Sequence, residues 1–183
     1  MILFILLGIL VAAIRGKHPQ KLLHEQSLLP LAAIEIVFWV FQIFSWCGDY
    51  RFVPYGEWLQ TASVLSLLWP ILKFRLYPQA LTGAAMVCAG SVLNRIAMAA
   101  NGGRMPVYPT LSRLTGYYRE GAIAASGDVR HVLMSGSTNL NFLGDFIDVG
   151  FSVMSVGDLL IHGFVALIVY GVAVRLCETK EGK

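Results

Sequence analysis

LLPLAAIEIVFWVFQIFSW, residues 28–46, decides the class of this chain. It is interrupted only by Glu35 and Gln42, and a helix drawn on it is apolar on every face. No alternation of apolar and polar positions favours a strand. Its length matches the ~20 residues that cross a ~30 Å hydrocarbon core. Inside a bilayer, only a helix or a closed barrel satisfies its own backbone groups. The stretch therefore reads as a transmembrane helix.

Comparable segments flank it. Residues 1–14 are apolar apart from one glycine and end at Arg15-Gly16-Lys17-His18. At ~1.5 Å per residue they extend about 21 Å, less than the hydrocarbon core, which leaves a short first helix or a half-inserted segment. They lack the basic n-region of a cleaved signal peptide. A third helix is expected over 58–72, with Pro70 as kink or stop. A fourth is expected over 78–100, stopped by Asn101-Gly102-Gly103, and a fifth over 153–176. The expected fold is all-α: a polytopic transmembrane helical bundle of about five helices in a single integral membrane domain, 1–183. A long extracytoplasmic interfacial loop, 101–152, joins helices four and five.

Composition agrees. Of 183 residues, 56% are hydrophobic and 14% charged, against about 25% charged in ordinary soluble domains. The net charge of +3 does not point to nucleic acid, because the basic residues sit beside apolar segments, where they act as orientation signals. With the N-terminus outside, the inner segments carry Arg15, Lys17, Lys21, Lys73, Arg75, Arg175, Lys180 and Lys183. The outer segments carry Arg51, Arg104, Arg113, Arg119 and Arg130. The inner excess favours this orientation, with the C-terminus cytoplasmic. Cys47, Cys88 and Cys177 lie on separate segments without close spacing, so neither a disulfide nor a metal site is expected, and no cofactor is implied. Within the loop, residues 110–114 and 128–134 mix apolar and basic side chains as interfacial helices do.

The informative residues are polar ones that a bilayer excludes: Glu35, Asn94, Arg95, Asp158 and His162. A central charge costs ~2.5–3.5 kcal/mol on insertion scales, so each needs a partner. The plain reading is an interhelical hydrogen bond or ion pair that fixes packing. Arg95 and Asp158 are expected at one membrane depth as a neutral pair, and His162, four residues after Asp158, shares its helix face. Asn101-Gly102-Gly103-Arg104 is either a helix cap and turn, or an anion nest of glycine amides beside Arg104. Asp145 and Asp148 are solvated loop acids by default.

Asn-Gly-Gly-Arg-Met-Pro-Val (101–107), Leu-Gly-Asp (143–145) and Ser-Val-Gly-Asp (155–158), behind a run of helices, resemble a bacterial family of uncharacterised integral membrane proteins. That resemblance implies a bacterial plasma-membrane protein and supplies no activity. A second resemblance is to signal peptidase II, the lipoprotein signal peptidase. Gly90-Ser-Val-Leu-Asn94-Arg95 looks like its Gly-Asn-x-x-Asp-Arg motif, and Asp145-Phe-Ile-Asp148 with Ser155-Val-Gly-Asp158 looks like its second aspartate region. That resemblance implies an intramembrane aspartic hydrolase, yet its first catalytic aspartate falls on Asn94, and asparagine cannot titrate. About forty extra residues also separate the two motifs.

The expectation is thus a non-catalytic or accessory membrane protein with an outer-leaflet polar site. Asn94, Arg95, Arg104, Gly102, Gly103 and His162 would bind a lipid head group, a lipidated peptide or a partner membrane protein. The alternative is a hydrolase using Asp158 with Asp145. A third reading is a scaffold subunit whose Glu35 and Arg95 are answered by partner chains.

Overall fold

The structure, a computed structural model, describes residues 1–17 and 19–181. His18, and Lys183 of the inner group above, lie outside the described residues. The chain is mainly helical: α1 (Ile2–Ile14), α2 (Leu29–Trp46), α3 (Gly56–Ser66), α4 (Leu68–Phe74), α5 (Tyr77–Ala99), two one-turn helices α6 (Leu111–Leu114) and α7 (Ala122–Ala125), and α8 (Val156–Glu181). Four short strands lie between α5 and α8: β1 (Met105–Val107), β2 (His131–Leu133), β3 (Ile147–Asp148) and β4 (Val153–Met154). Three segments, Gln26–Trp46, Tyr77–Ala99 and Val156–Glu178, are long and apolar enough to cross a membrane. α1 is apolar but shorter.

Contacts divide the chain into two compact units. The first comprises residues 1–37, 58–87 and 161–183. Its core is built around α8, whose Val165, Ile168, Val169 and Val172 are almost wholly buried against Leu67, Ile71, Leu76 and Ala12. Such an all-round apolar helix belongs at the centre of a helical cluster. Glycines permit the close approach: a Cβ on Gly8 would lie 2.6 Å from the Ala166 carbonyl oxygen, and one on Gly83 would enter the Phe164 ring. Charged groups finish the ends. Lys73 Nζ donates to Glu25 Oε1 at 2.6 Å, and Lys21 Nζ donates to the Leu176 carbonyl at 2.9 Å. The latter is a cation on the last open carbonyls of a helix.

The third helix departs from expectation. Residues 58–72 do not form one helix: the backbone breaks at Leu67, between α3 and α4. Pro70 has no N–H to offer the carbonyl four residues earlier, that of Ser66, so the helix restarts with Pro70 in its first turn, where none is required.

The second unit comprises residues 38–57 and 88–160, and it includes the loop expected over 101–152. That loop is a knit structure. β1 pairs with β2 in parallel, with Met105 opposite His131 and Val107 opposite Leu133, and β3 pairs with β4 antiparallel. Val107 also bridges Asp145 in parallel, so β1 is flanked on both sides. Residues 128–134, expected as an interfacial helix, instead contribute β2. The run His131-Val132-Leu133 suits an extended pairing partner for Met105-Pro106-Val107 better than one turn of helix. Polar residues of α2 help to hold the loop. Gln42 Nε2 donates to the Phe151 carbonyl at 2.9 Å, Tyr117 Oη donates to Gln42 Oε1 at 2.7 Å, and Trp46 Nε1 donates to the Thr115 carbonyl at 3.0 Å.

Candidate functional site

Two polar clusters occupy the second unit. The first lies where α8 begins beside the end of α5. Ser155 Oγ accepts from the Asp158 N–H at 2.9 Å, and Asp158 Oδ2 accepts from the Ser155 N–H at 3.1 Å. Ser155-Val-Gly-Asp158 is therefore a reciprocal capping box that starts α8. Asn94 completes the ring: its Nδ2 donates to Asp158 Oδ1 at 2.9 Å, and its Oδ1 accepts from Ser155 Oγ at 2.8 Å. Gly157 admits this contact, since a Cβ there would collide with Asn94 Oδ1 and lie 2.6 Å from the Gly90 carbonyl oxygen.

This cluster revises several expectations. Arg95 and Asp158 form no ion pair among the described residues; the carboxylate is taken by Asn94 and Ser155, and Arg95 is exposed. No hydrogen bond joins Asp145 to Asp158 among the described residues, although the charge of Asp158 reaches Asp145. His162 belongs to the first unit, where its ring packs on Phe4 at 5.3 Å between centroids. Asn101-Gly102-Gly103 acts as a helix stop: the Gly103 N–H donates to the Met98 carbonyl at 2.8 Å, which occupies a donor that an anion nest would use. Gly102 and Gly103 take the left-handed conformation this stop requires, with φ of 64° and 83°. Arg104 is exposed.

The second cluster went unrecognised in the sequence. β1 is its organiser. On one side, parallel pairing delivers His131 from β2; on the other, the Asp145 N–H donates to the Pro106 carbonyl at 2.8 Å and its carbonyl accepts from Tyr108 N–H at 2.7 Å. Gly144 makes that approach possible, because a Cβ on it would lie 2.5 Å from the Pro106 carbonyl oxygen. Asp128 Oδ2 makes a short hydrogen bond to His131 Nδ1, and His131 Nε2 lies 3.6 Å from Asp145 Oδ2. The result is a carboxylate–imidazole–carboxylate chain.

Asp145 is only 6% exposed, and its Oδ1 has no hydrogen-bond partner among the described residues. Burial, reinforced by the charge of Asp158 and only partly offset by His131, pushes its carboxyl up to about 7. For His131, burial opposes the charged form, but the hydrogen bond and charge of Asp128, with the fields of Asp145 and Asp158, outweigh it and raise the imidazole above its ordinary value. Burial likewise works against Asp128, yet His131 and the Arg130 and His131 amides hold it below the usual carboxylate range. Asp148 is a separate staple. It accepts from Thr110 N–H, Ser112 N–H, Ser112 Oγ and Gly150 N–H at 2.7–2.9 Å. These bonds depress its carboxyl despite partial burial.

The Asp128–His131–Asp145 chain forms part of the wall of a cavity of about 190 Å³. Tyr50, Tyr117 and Tyr118 line it too, with Val53, Ile123 and Val153 as apolar wall. The buried Tyr50 hydroxyl, like Asp145 Oδ1, has no hydrogen-bond partner. Among the described residues no group of three or more His, Cys, Asp or Glu has the arrangement of a metal site.

A family model matches residues 20–170. The chain belongs to DUF5317, a family of unknown function. The part of the chain matched by DUF5317 contains both clusters and every residue of the cavity wall. No curated protein and no solved structure matches, and the likeness to signal peptidase II gains no support from these comparisons. Sequence reasoning singled out Asp145 through Leu-Gly-Asp but missed Asp128, His131 and Tyr50. The one available signal was Asp-x-x-His at 128–131, and nothing local links it to residue 145.

Proposed function

We propose that this chain is a membrane-embedded binding protein without catalytic turnover, whose chamber takes up a small polar ligand. In this reading the second unit stands on the outer face of a bacterial plasma membrane, and the ligand reaches it from that side. One observation carries the proposal. Asp145 lines the chamber, and its buried Oδ1 has no partner among the described residues; such a group costs roughly 1–3 kcal/mol unless something answers it. The volume suits a ligand of a few heavy atoms, well below the roughly 300–1,000 Å³ of sites for drug-sized molecules. A lipid head group meets that limit, whereas a peptide helix does not.

The hydrolase reading draws on a specific feature, the field of Asp158 that helps raise the Asp145 carboxyl. Two carboxylates with separated titrations are what acid–base hydrolysis uses. Against it, Asp158 is turned into the helix cap, each of its oxygens accepting a bond from Asn94 or Ser155, and it does not line the chamber that Asp145 lines. Purified protein is expected not to cleave a lipidated signal peptide, and cleavage that depends on Asp158 would overturn the non-catalytic reading.

Binding is tested directly by calorimetry on the protein in phosphatidylglycerol nanodiscs. The probes are ethanolamine, ethylene glycol, acetate and inorganic phosphate. At least one should bind to wild type and fail to bind to Ala122→Phe, which fills the chamber. Failure of all four to bind, or binding that survives Ala122→Phe, would refute the chamber as the site.

A further inference from the structure

Resting on the reading of the chamber as a binding site, we infer that its ligand carries a positively charged amine, and that the ammonium group is held by the carboxyl of Asp145 beside the tyrosines of the wall. Three acidic groups bear on this space against one imidazole: Asp128 and the partly protonated Asp145 on the wall, Asp158 through its field, and His131 between the first two. Three arginines of this unit have partners of their own. Arg130 pairs with Glu57, Arg119 donates to the Trp46 carbonyl, and Arg113 lies over the Tyr118 ring with its guanidinium carbon 5.4 Å from the centroid. An anion entering the chamber would thus face like charge at short range, while a cation would be attracted.

The geometry of the wall fits the same chemistry. An ammonium donates hydrogen bonds and accepts none, which matches Asp145 Oδ1, an acceptor that lacks a donor. Tyr50 and Tyr117 line the same wall, and aromatic rings attract cations through their faces, as the Tyr118 ring already does with Arg113. Val53, Ile123 and Val153 offer apolar surface for a short hydrocarbon stem. Inorganic phosphate or a carboxylate would find no free cationic side chain on this wall.

The calorimetric panel separates this inference from the reading beneath it. Ethanolamine should bind, with inorganic phosphate and acetate silent and ethylene glycol, its neutral counterpart, at least about tenfold weaker. Asp145→Asn should weaken ethanolamine by about tenfold or more and ethylene glycol by clearly less. Equal binding of ethanolamine and ethylene glycol, or preferred binding of phosphate or acetate, would overturn the amine assignment while leaving a binding chamber in place. Silence of the whole panel would refute the chamber itself. Because the comparison among probes uses only wild-type protein, it stands even if Asp145→Asn fails to fold. Exchanging phosphatidylglycerol for phosphatidylethanolamine nanodiscs identifies the source: competition with free ethanolamine marks a lipid head group, and unchanged affinity marks a soluble amine. Each result supports the amine assignment.

Discussion

At residue 94 the chemistry of one amide explains what looked like a lost catalytic acid. Asparagine offers a donor to the Asp158 carboxylate and an acceptor to the Ser155 hydroxyl. Aspartate could serve only the second and would face Asp158 with like charge. Asn94→Asp is therefore expected to lower stability by a few kcal/mol. Adding Asp158→Asn should recover part of the loss, because the donor and the charge then simply change places. Additive losses in thermal unfolding of the single and double variants would contradict that pairing. Asp145 makes a second residue-scale prediction. Infrared difference spectra should show a protonated carboxyl that titrates near pH 7 and vanishes in Asp145→Asn. The sequence pointed to Asn94, Asp145 and Asp158 because each sits in a short motif. It hid Asp128 and His131, whose meaning depends on a parallel strand pairing across twenty-six residues.

Among the elements, the three motifs prove to be construction devices. Asn101-Gly102-Gly103 ends α5, Met105-Pro106-Val107 is the strand around which the chamber is assembled, Gly144 lets Asp145 lie against it, and Ser155-Val-Gly-Asp158 starts α8. Helix ends were legible because caps are local. The tertiary role of each cap was not, since it rests on contacts distant in sequence. The break at Leu67 was missed because Pro70 marks a discontinuity without saying on which side it falls. Gly144→Ala tests the placement of Asp145. Its Cβ would meet the Pro106 carbonyl oxygen at 2.5 Å and Met134 Cε at 2.7 Å, an overpacking that costs about 1–3 kcal/mol. Gly136→Ala, with open space around its Cβ, should change the melting temperature little. Similar melting temperatures for the two variants would argue against this packing.

For the molecule as a whole, exposed apolar surface is the dominant physical fact. Leu6, Leu10, Ile36, Ile43, Leu81 and Val92 are all exposed on long or apolar helices, a surface that water would penalise and hydrocarbon accepts. The five outer basic residues of the sequence reading all fall in the second unit, and the described ones of the inner group all fall in the first. In a cysteine-free background, Leu114→Cys should react with an impermeant reagent on intact cells and Gln20→Cys should not; the reverse would invert the orientation. Stability should also depend on pH. Asp145 and His131 titrate above their ordinary values, so the stability tied to their protonated forms is lost as pH rises. For Asp145 the loss runs from about pH 4 to about 7, and for His131 it runs above about 6.5. Asp128 and Asp148 are depressed, so their contribution is lost only as pH falls below about 4. Melting temperature should therefore peak in mild acid and decline toward pH 8, less steeply in Asp145→Asn; a rising profile would contradict the assignment. The most direct test of the binding role is an electron-microscopy structure in native lipid. Density in the chamber within hydrogen-bonding distance of Asp145 Oδ1 is expected, and a collapsed chamber with that oxygen bonded to a protein donor would contradict it.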